Sequence, residues 1–202
     1  MQPPESTATD PRALVIGCSA GGMTALERLL SQLPAGLRLP VMVVQHLHPQ
    51  EDGFLVQYLA ARCALAVREA QDKEPVRPAT IYLAPPGYHL LVERDRTLAL
   101  SVDDKVNFSR PSIDVLFESA ARAWGAGLVG VLLTGANQDG TQGQRIIHAL
   151  GGLTIAQDPG EAEFPAMPRA AIDAGAVEQV LTLDGIASLL GAIDRSLAAR
   201  PQ

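Results

Sequence analysis

The sequence predicts an α/β protein built on a single doubly wound, mainly parallel sheet, with helices on both faces and a short antiparallel hairpin section. Two observations carry this. Short apolar runs (Ala13 to Ile16, Val41 to Val44, Gly127 to Thr134, Leu153 to Ala156) alternate with stretches whose apolar residues recur at helical spacing. The runs are also apolar almost throughout, as strands covered on both faces are.

The elements follow in chain order. Residues 1–12, rich in Pro, Ser and Thr, read as a flexible lead-in, and residues 13–197 as one domain. After the first strand, Ala25, Leu26, Leu29, Leu30 and Leu33 mark a helix that Pro34-Ala35-Gly36 breaks. Val41 to Val44 is the second strand, ending at Gln45-His46. Asp52 to Ala61 reads as helix, with Phe54, Leu55, Tyr58 and Leu59 on one face, and Ala64 to Pro78 as an irregular connection across the sheet. Thr80 to Leu83 is a short strand, and Pro85-Pro86-Gly87 a turn. His89 to Val92 and Thr97 to Val102 flank Glu93 to Arg96 as a hairpin, the antiparallel part of the sheet. Ser112 is a candidate N-cap for a helix with Ile113, Leu116, Phe117, Ala120 and Ala121 inward. The strand Gly127 to Thr134, the helix Thr141 to Leu150, the strand Leu153 to Ala156, the helix Met167 to Ala174, the strand Ala176 to Leu181 and the helix Leu183 to Leu197 complete the pattern.

Composition narrows the function classes. A chain of 202 residues with 47% hydrophobic content fits one domain with a sizeable core. The net charge of −6 argues against nucleic acid as the partner. No apolar run approaches the roughly 18 residues of a membrane span, and Met1 to Glu5 lacks the basic and apolar regions of a signal peptide. A cytoplasmic protein without membrane insertion is expected. Cys18 and Cys63 form neither a disulfide framework nor a zinc pattern, and read as small buried residues.

The chemistry is expected beyond the carboxyl ends of the strands. Gly17-Cys18-Ser19-Ala20-Gly21 satisfies G-x-S-x-G, in which a serine on a tight strand-to-helix turn exposes its Oγ beside free backbone N–H groups. A serine hydroxyl needs a base within hydrogen-bond reach, and the base needs an acceptor that fixes its tautomer. His46 ends the neighbouring strand, and Asp139 follows the strand ending at Thr134. The order Ser, His, Asp is not that of the α/β-hydrolases. Taken singly, each residue has a plain structural reading: a packed turn, a core histidine, an Asp-Gly turn.

Several motifs together resemble a known family. Ile16 to Gly22, Val44-Gln45-His46, Ile81 to His89, Arg110 to Asp114, Gly130 to Gly135 with Asp139-Gly140, and Thr154 to Asp158 with Met167-Pro168 look like the catalytic domain of the chemotaxis protein-glutamate methylesterases (CheB type), in order from Ala13 to about Leu190. The resemblance implies a serine hydrolase that removes methyl groups from glutamate γ-methyl esters on the cytoplasmic helices of methyl-accepting chemoreceptors, releases methanol, and also deamidates particular glutamines. It implies Ser19 as nucleophile, His46 as general base, Asp139 as orienting carboxylate, and the N–H groups of Ala20 and Ala136 as oxyanion donors. Arg110 and Met167 are candidates for substrate positioning, with a salt bridge at a helix start as the alternative for Arg110. No cofactor and no metal are expected. A separate receiver or histidine-kinase protein is a further expected partner, because the receiver domain common in the family is not seen before Ala13; the chain is a stand-alone member or a fragment.

Where the family commonly has Thr-Gly-Met-Gly, this chain has Thr134-Gly135-Ala136-Asn137, with Asn137 suited to positive φ. Three rival readings stand beside the esterase. His46-Leu47-His48 could ligate a metal, though His48 reads better as a loop cap, with His89 and His148 structural or exposed. Gly17 to Gly22 could cradle a phosphate, but lacks the nucleotide-binding patterns. The third is a non-catalytic docking module of a chemosensory system that retains the fold.

Overall fold

The computed structural model describes residues 12–46, 50 and 53–199; the expected lead-in before Arg12 and the loop role of His48 lie outside the described residues. Strands β1 (Ala13–Cys18), β2 (Val41–Gln45), β3 (Ala66–Glu69), β4 (Thr80–Leu83), β7 (Leu128–Leu132), β8 (Leu153–Gln157) and β9 (Gln179–Leu181) form a seven-stranded sheet in the order β3-β4-β2-β1-β7-β8-β9. Every pairing in it is parallel. The hairpin strands β5 (His89–Val92) and β6 (Leu98–Ser101) pair antiparallel in a sheet of their own, not within the main sheet as expected.

The alternation of β1 sorts the core into two layers. Leu14, Ile16 and Cys18 join one cluster with helices α1 (Gly22–Leu30), α2 (Phe54–Ala60) and α6 (Leu183–Ala198). Ala13 and Val15 join the other, with α3 (Ile113–Trp124), α4 (Thr141–Ala149), α5 (Ala166–Asp173) and the hairpin residues Leu90, Val92 and Leu98. Both faces of the sheet are therefore covered, which is why the central strands carry no polar face. Leu26, Leu29 and Leu30 of α1 and Leu116, Phe117 and Ala120 of α3 are fully buried, so helix stability here rests mainly on packing an apolar stripe.

The segment expected to be irregular contains β3. Its sequence, Ala-Val-Arg-Glu, is mostly exposed and forms one edge of the sheet, so it lacks the apolar run that marks the central strands. Cys18 is buried as expected, whereas Cys63 is only half-buried. His89 is buried, with Nε2 donating to the Asp104 carbonyl (3.0 Å) and Nδ1 accepting from the Ser112 N–H (3.2 Å). His148 is exposed.

The chain leaves β1 toward β2 on one side and returns to β7 on the other. Ligand sites of open α/β sheets form at such a reversal, beyond the carboxyl ends of the strands. Close approach of α3 to β1 is what brings a helix start there. A Cβ placed on Gly17 would lie 2.3 Å from Ile113 Cγ2, far inside contact distance. Gly17→Ala should therefore force Ile113 out of its packed position and destabilise the fold by about 1–3 kcal/mol. A lower urea midpoint at unchanged m-value is the expected measurement, and an unchanged midpoint would show the contact to be slack.

Candidate active site

Three loops meet at the carboxyl edge of the sheet. Cys18 pairs with Gln45 across β1 and β2, and the His46 N–H donates to the Cys18 carbonyl (3.1 Å), so Ser19 and His46 leave the sheet side by side. On the other flank the Ser19 N–H donates to the Thr134 carbonyl (3.0 Å), which ties the serine turn to the loop carrying Ala136 and Asp139.

The turn is held by side chains that the sequence reading did not single out. Gln45 is buried; its Nε2 donates to the carbonyls of Ser19 (2.9 Å) and His46 (3.0 Å), and its Oε1 faces the Cys18 thiol (3.1 Å). Thr134 Oγ1 donates to the Ala20 carbonyl (3.0 Å) and accepts from the Phe164 N–H (2.9 Å), while its own N–H donates to Gln157 Oε1 (2.9 Å). Gln45 and Gln157 are polar residues closing apolar runs, which is the one sequence signal that pointed to them. Burial pushes the Cys18 thiol far above the usual cysteine range, so this neighbour of Ser19 is no nucleophile.

Asp139 is fully buried and surrounded by donors. Oδ2 accepts from His46 Nε2 (2.8 Å) and the Ile113 N–H (2.7 Å). Oδ1 accepts from Asn107 Nδ2 (2.7 Å), Ser112 Oγ (2.9 Å), the Gly140 N–H (3.1 Å) and the Asp114 N–H (3.2 Å). The carboxylate thus occupies the N-terminus of α3, where free N–H groups and the helix dipole favour a negative charge. Ser112 stands at the N-cap position as expected, but its hydroxyl caps nothing and turns to Asp139 instead. Burial opposes ionisation of Asp139; hydrogen bonds from His46, Ile113 and Asn107 outweigh it and hold the carboxyl below its ordinary range.

An anionic Asp139 fixes the histidine. Nε2 must carry the proton that it donates, which leaves the lone pair on Nδ1. Asn137 Nδ2 lies 3.5 Å from Nδ1, and Asn137 Oδ1 accepts from the Asp139 N–H (3.0 Å). Asn137 does not have positive φ, contrary to expectation; the left-handed asparagine is Asn107, at φ 51°. No hydrogen bond joins Ser19 Oγ to His46 in this conformation. The N–H groups of Ala20 and Ala136 have no backbone acceptor among the described residues.

The two candidate positioning residues are engaged elsewhere. Arg110 donates through Nη1 to the carbonyls of Val102 (2.7 Å) and Asp103 (2.9 Å), bracing the chain after β6 and making no salt bridge among the described residues. Met167 is fully buried beneath the loop: its N–H donates to the Gly135 carbonyl (2.9 Å), and a Cβ on Gly135 would lie 2.5 Å from its Cε. Among the described residues no cluster of three His, Cys, Asp or Glu side chains could hold a metal ion; the second histidine of His46-Leu47-His48 is outside them.

The family model described as CheB methylesterase matches residues 14–190. The chain belongs to the CheB methylesterase family. A Leptospira interrogans relative, provisionally named a protein-glutamate methylesterase/protein-glutamine glutaminase, is 46% identical over 184 residues, covering 91% of this chain and 95% of its own. A protein of that name from Symbiobacterium thermophilum is 42% identical over 89% of this chain, which spans 50% of its length. The crystal structure of the Thermotoga maritima CheB methylesterase catalytic domain superposes with a TM-score of 0.87 at 32% identity, covering 92% of this chain and 100% of that domain.

Asp114 adds a pH signature to the site. It is buried, accepts from the Gly143 N–H (2.7 Å) and Asn107 Nδ2 (2.8 Å), and its pKa is raised to about 6, first by burial and further by the neighbouring Asp139 charge. An unfolded aspartate titrates near 3.9, so the folded state holds this proton more tightly. Asp114 therefore costs stability as pH rises from about 4 to about 6, and the loss is complete above that window. Asp139, shifted the other way, contributes stability at neutral pH that acid removes. Urea midpoints of Asp114→Asn should lack the decline between about pH 4 and 6 that the parent chain shows; a parallel decline in both would assign it to other groups.

Proposed function

We propose that the chain is a serine-dependent protein-glutamate methylesterase that acts on the cytoplasmic helices of methyl-accepting chemoreceptors, and that it works in the cytoplasm. The observation that carries this is the His46–Asp139 pair standing beside the Ser19 turn in a chain of this family. The described residues hold no helix long and apolar enough to cross a membrane.

In this reading Ser19 Oγ turns toward His46 Nδ1, displacing the Asn137 amide. Catalytic hydrogen bonds often tighten only when substrate binds. Oγ forms a bond to the ester carbonyl carbon while its proton passes to Nδ1. The developing oxyanion meets the N–H groups of Ala20 and Ala136, each such donor contributing about 3 kcal/mol to the transition state. Collapse breaks the bond to the methoxy oxygen, which takes the proton from Nδ1 and leaves as methanol. Water then attacks the acyl-enzyme, giving a proton to Nδ1, and Ser19 departs with that proton as the glutamate is freed. A glutamine side chain entering the same site would release ammonia in place of methanol, which fits the second activity in the relatives' names. Asp139 keeps its negative charge throughout, stabilising the imidazolium formed in each half-reaction. A separate receiver or histidine-kinase protein is the proposed source of control.

Methanol release from a methylated receptor tests the reading. Ser19→Ala should abolish it, and Asp139→Asn should lower kcat by about 10⁴-fold by misplacing the imidazole proton. Release that persists in Ser19→Ala would remove Ser19 from the mechanism, and release lost to a chelator would favour a metal.

A further inference from the structure

Beside the site stands a turn that local folding preferences do not explain. Val106 to Ser109 closes on itself through the Ser109 N–H to the Val106 carbonyl (2.9 Å) and the Val106 N–H to the Ser109 carbonyl (3.2 Å). Both central residues are left-handed, Asn107 at φ 51° and Phe108 at φ 62°. Turns of this kind favour Asn followed by Gly. Here the second place holds an aromatic side chain that is 95% exposed. A bulky residue in that conformation, with its ring in water, is doubly unfavourable for folding, and strain of this kind gathers at functional sites.

The turn is also fixed to the catalytic group. The Asn107 amide donates one hydrogen to Asp139 Oδ1 (2.7 Å) and the other to Asp114 Oδ2 (2.8 Å). The turn that carries Phe108 is thereby tethered to two buried carboxylates. Its ring lines a cavity of about 350 Å³ together with Asn107, Asn137 and Gln138. The amide of Asn137, one of these lining residues, lies 3.5 Å from His46 Nδ1, so a single residue separates the cavity from the imidazole.

We infer that Phe108 is a substrate-binding residue whose ring packs on the apolar surface of the substrate segment flanking the reacting side chain. The inference rests on the methylesterase reading and names the contact that this reading lacks. The occupant is a stretch of receptor helix presenting aliphatic carbons next to the methyl ester. A ring carried on a turn tethered beside the site loses less freedom, when such a surface covers it, than one on a free loop.

The test is steady-state methanol release from a methylated receptor, comparing the parent chain with Phe108→Ala, Phe108→Gly and Phe108→Leu. Phe108→Gly suits the left-handed backbone, so it should keep or raise the thermal midpoint while losing the contact. KM should rise about tenfold for Phe108→Ala and Phe108→Gly, as for a central aromatic contact, with kcat within about twofold. Phe108→Leu should recover most of the loss. Unchanged KM in the Gly variant, or a fall in kcat alone, would overturn the inference. So would a change of sedimentation coefficient in Phe108→Ala, which would make the ring a contact between copies of this chain. A parent chain that releases no methanol would overturn the methylesterase reading itself, and is distinguished because the failure precedes any substitution.

Discussion

Everything at the carboxyl edge of the sheet depends on one buried negative charge. Asp139 has no exposure to water, and a carboxylate in that position is tolerated only where donors replace its lost hydration. The replacement is collective. Main-chain N–H groups of Ile113, Asp114 and Gly140, the Ser112 hydroxyl, the Asn107 amide and the His46 imidazole all converge on it. The charge in turn decides which histidine nitrogen carries the proton. Helix start, loop and histidine are thus fixed by the same group.

Packing delivers those donors. The start of α3 reaches Asp139 because Gly17 leaves β1 bare where Ile113 crosses it, and because the remaining inward residues of α3 bury fully against that face of the sheet. On the opposite face, Cys18 points into the α1 and α6 layer and away from the cleft, so two successive residues of one strand, Gly17 and Cys18, serve the site without reacting in it. The hairpin contributes at one remove: His89 links the Asp104 carbonyl to the N–H of Ser112, coupling the chain after β6 to the residue that opens α3.

The parts of this arrangement that use long-period pattern were legible in the sequence. Central strands such as Leu128–Leu132 announce themselves as apolar runs, and the positions of Ser19, His46 and Asp139 follow from strand ends in a parallel sheet. The edge strand Ala66–Glu69 was not legible, because an exposed edge needs no apolar face and its Arg68 and Glu69 look like loop. Asn107 was equally silent: it reaches Asp139 across 32 positions of chain, and nothing in Val-Asn-Phe-Ser signals a hydrogen bond so distant in sequence. The internal contacts of Arg110 and Met167 were not legible either. Their side chains suit substrate contact, yet the fold uses one to brace backbone carbonyls and the other as filler beneath Gly135.

Thr134 gives the serine turn a further property. Its carbonyl holds the Ser19 N–H and its hydroxyl holds the Ala20 carbonyl, while the next residues turn toward Ala136. The loops carrying the Ala20 and Ala136 N–H groups, which have no backbone acceptor among the described residues, are therefore positioned by main-chain atoms and one threonine. Both loops share that one threonine, so a change at Thr134 would disturb the serine turn and the Ala136 loop together, whereas a change in either loop alone would leave the other's anchor in place.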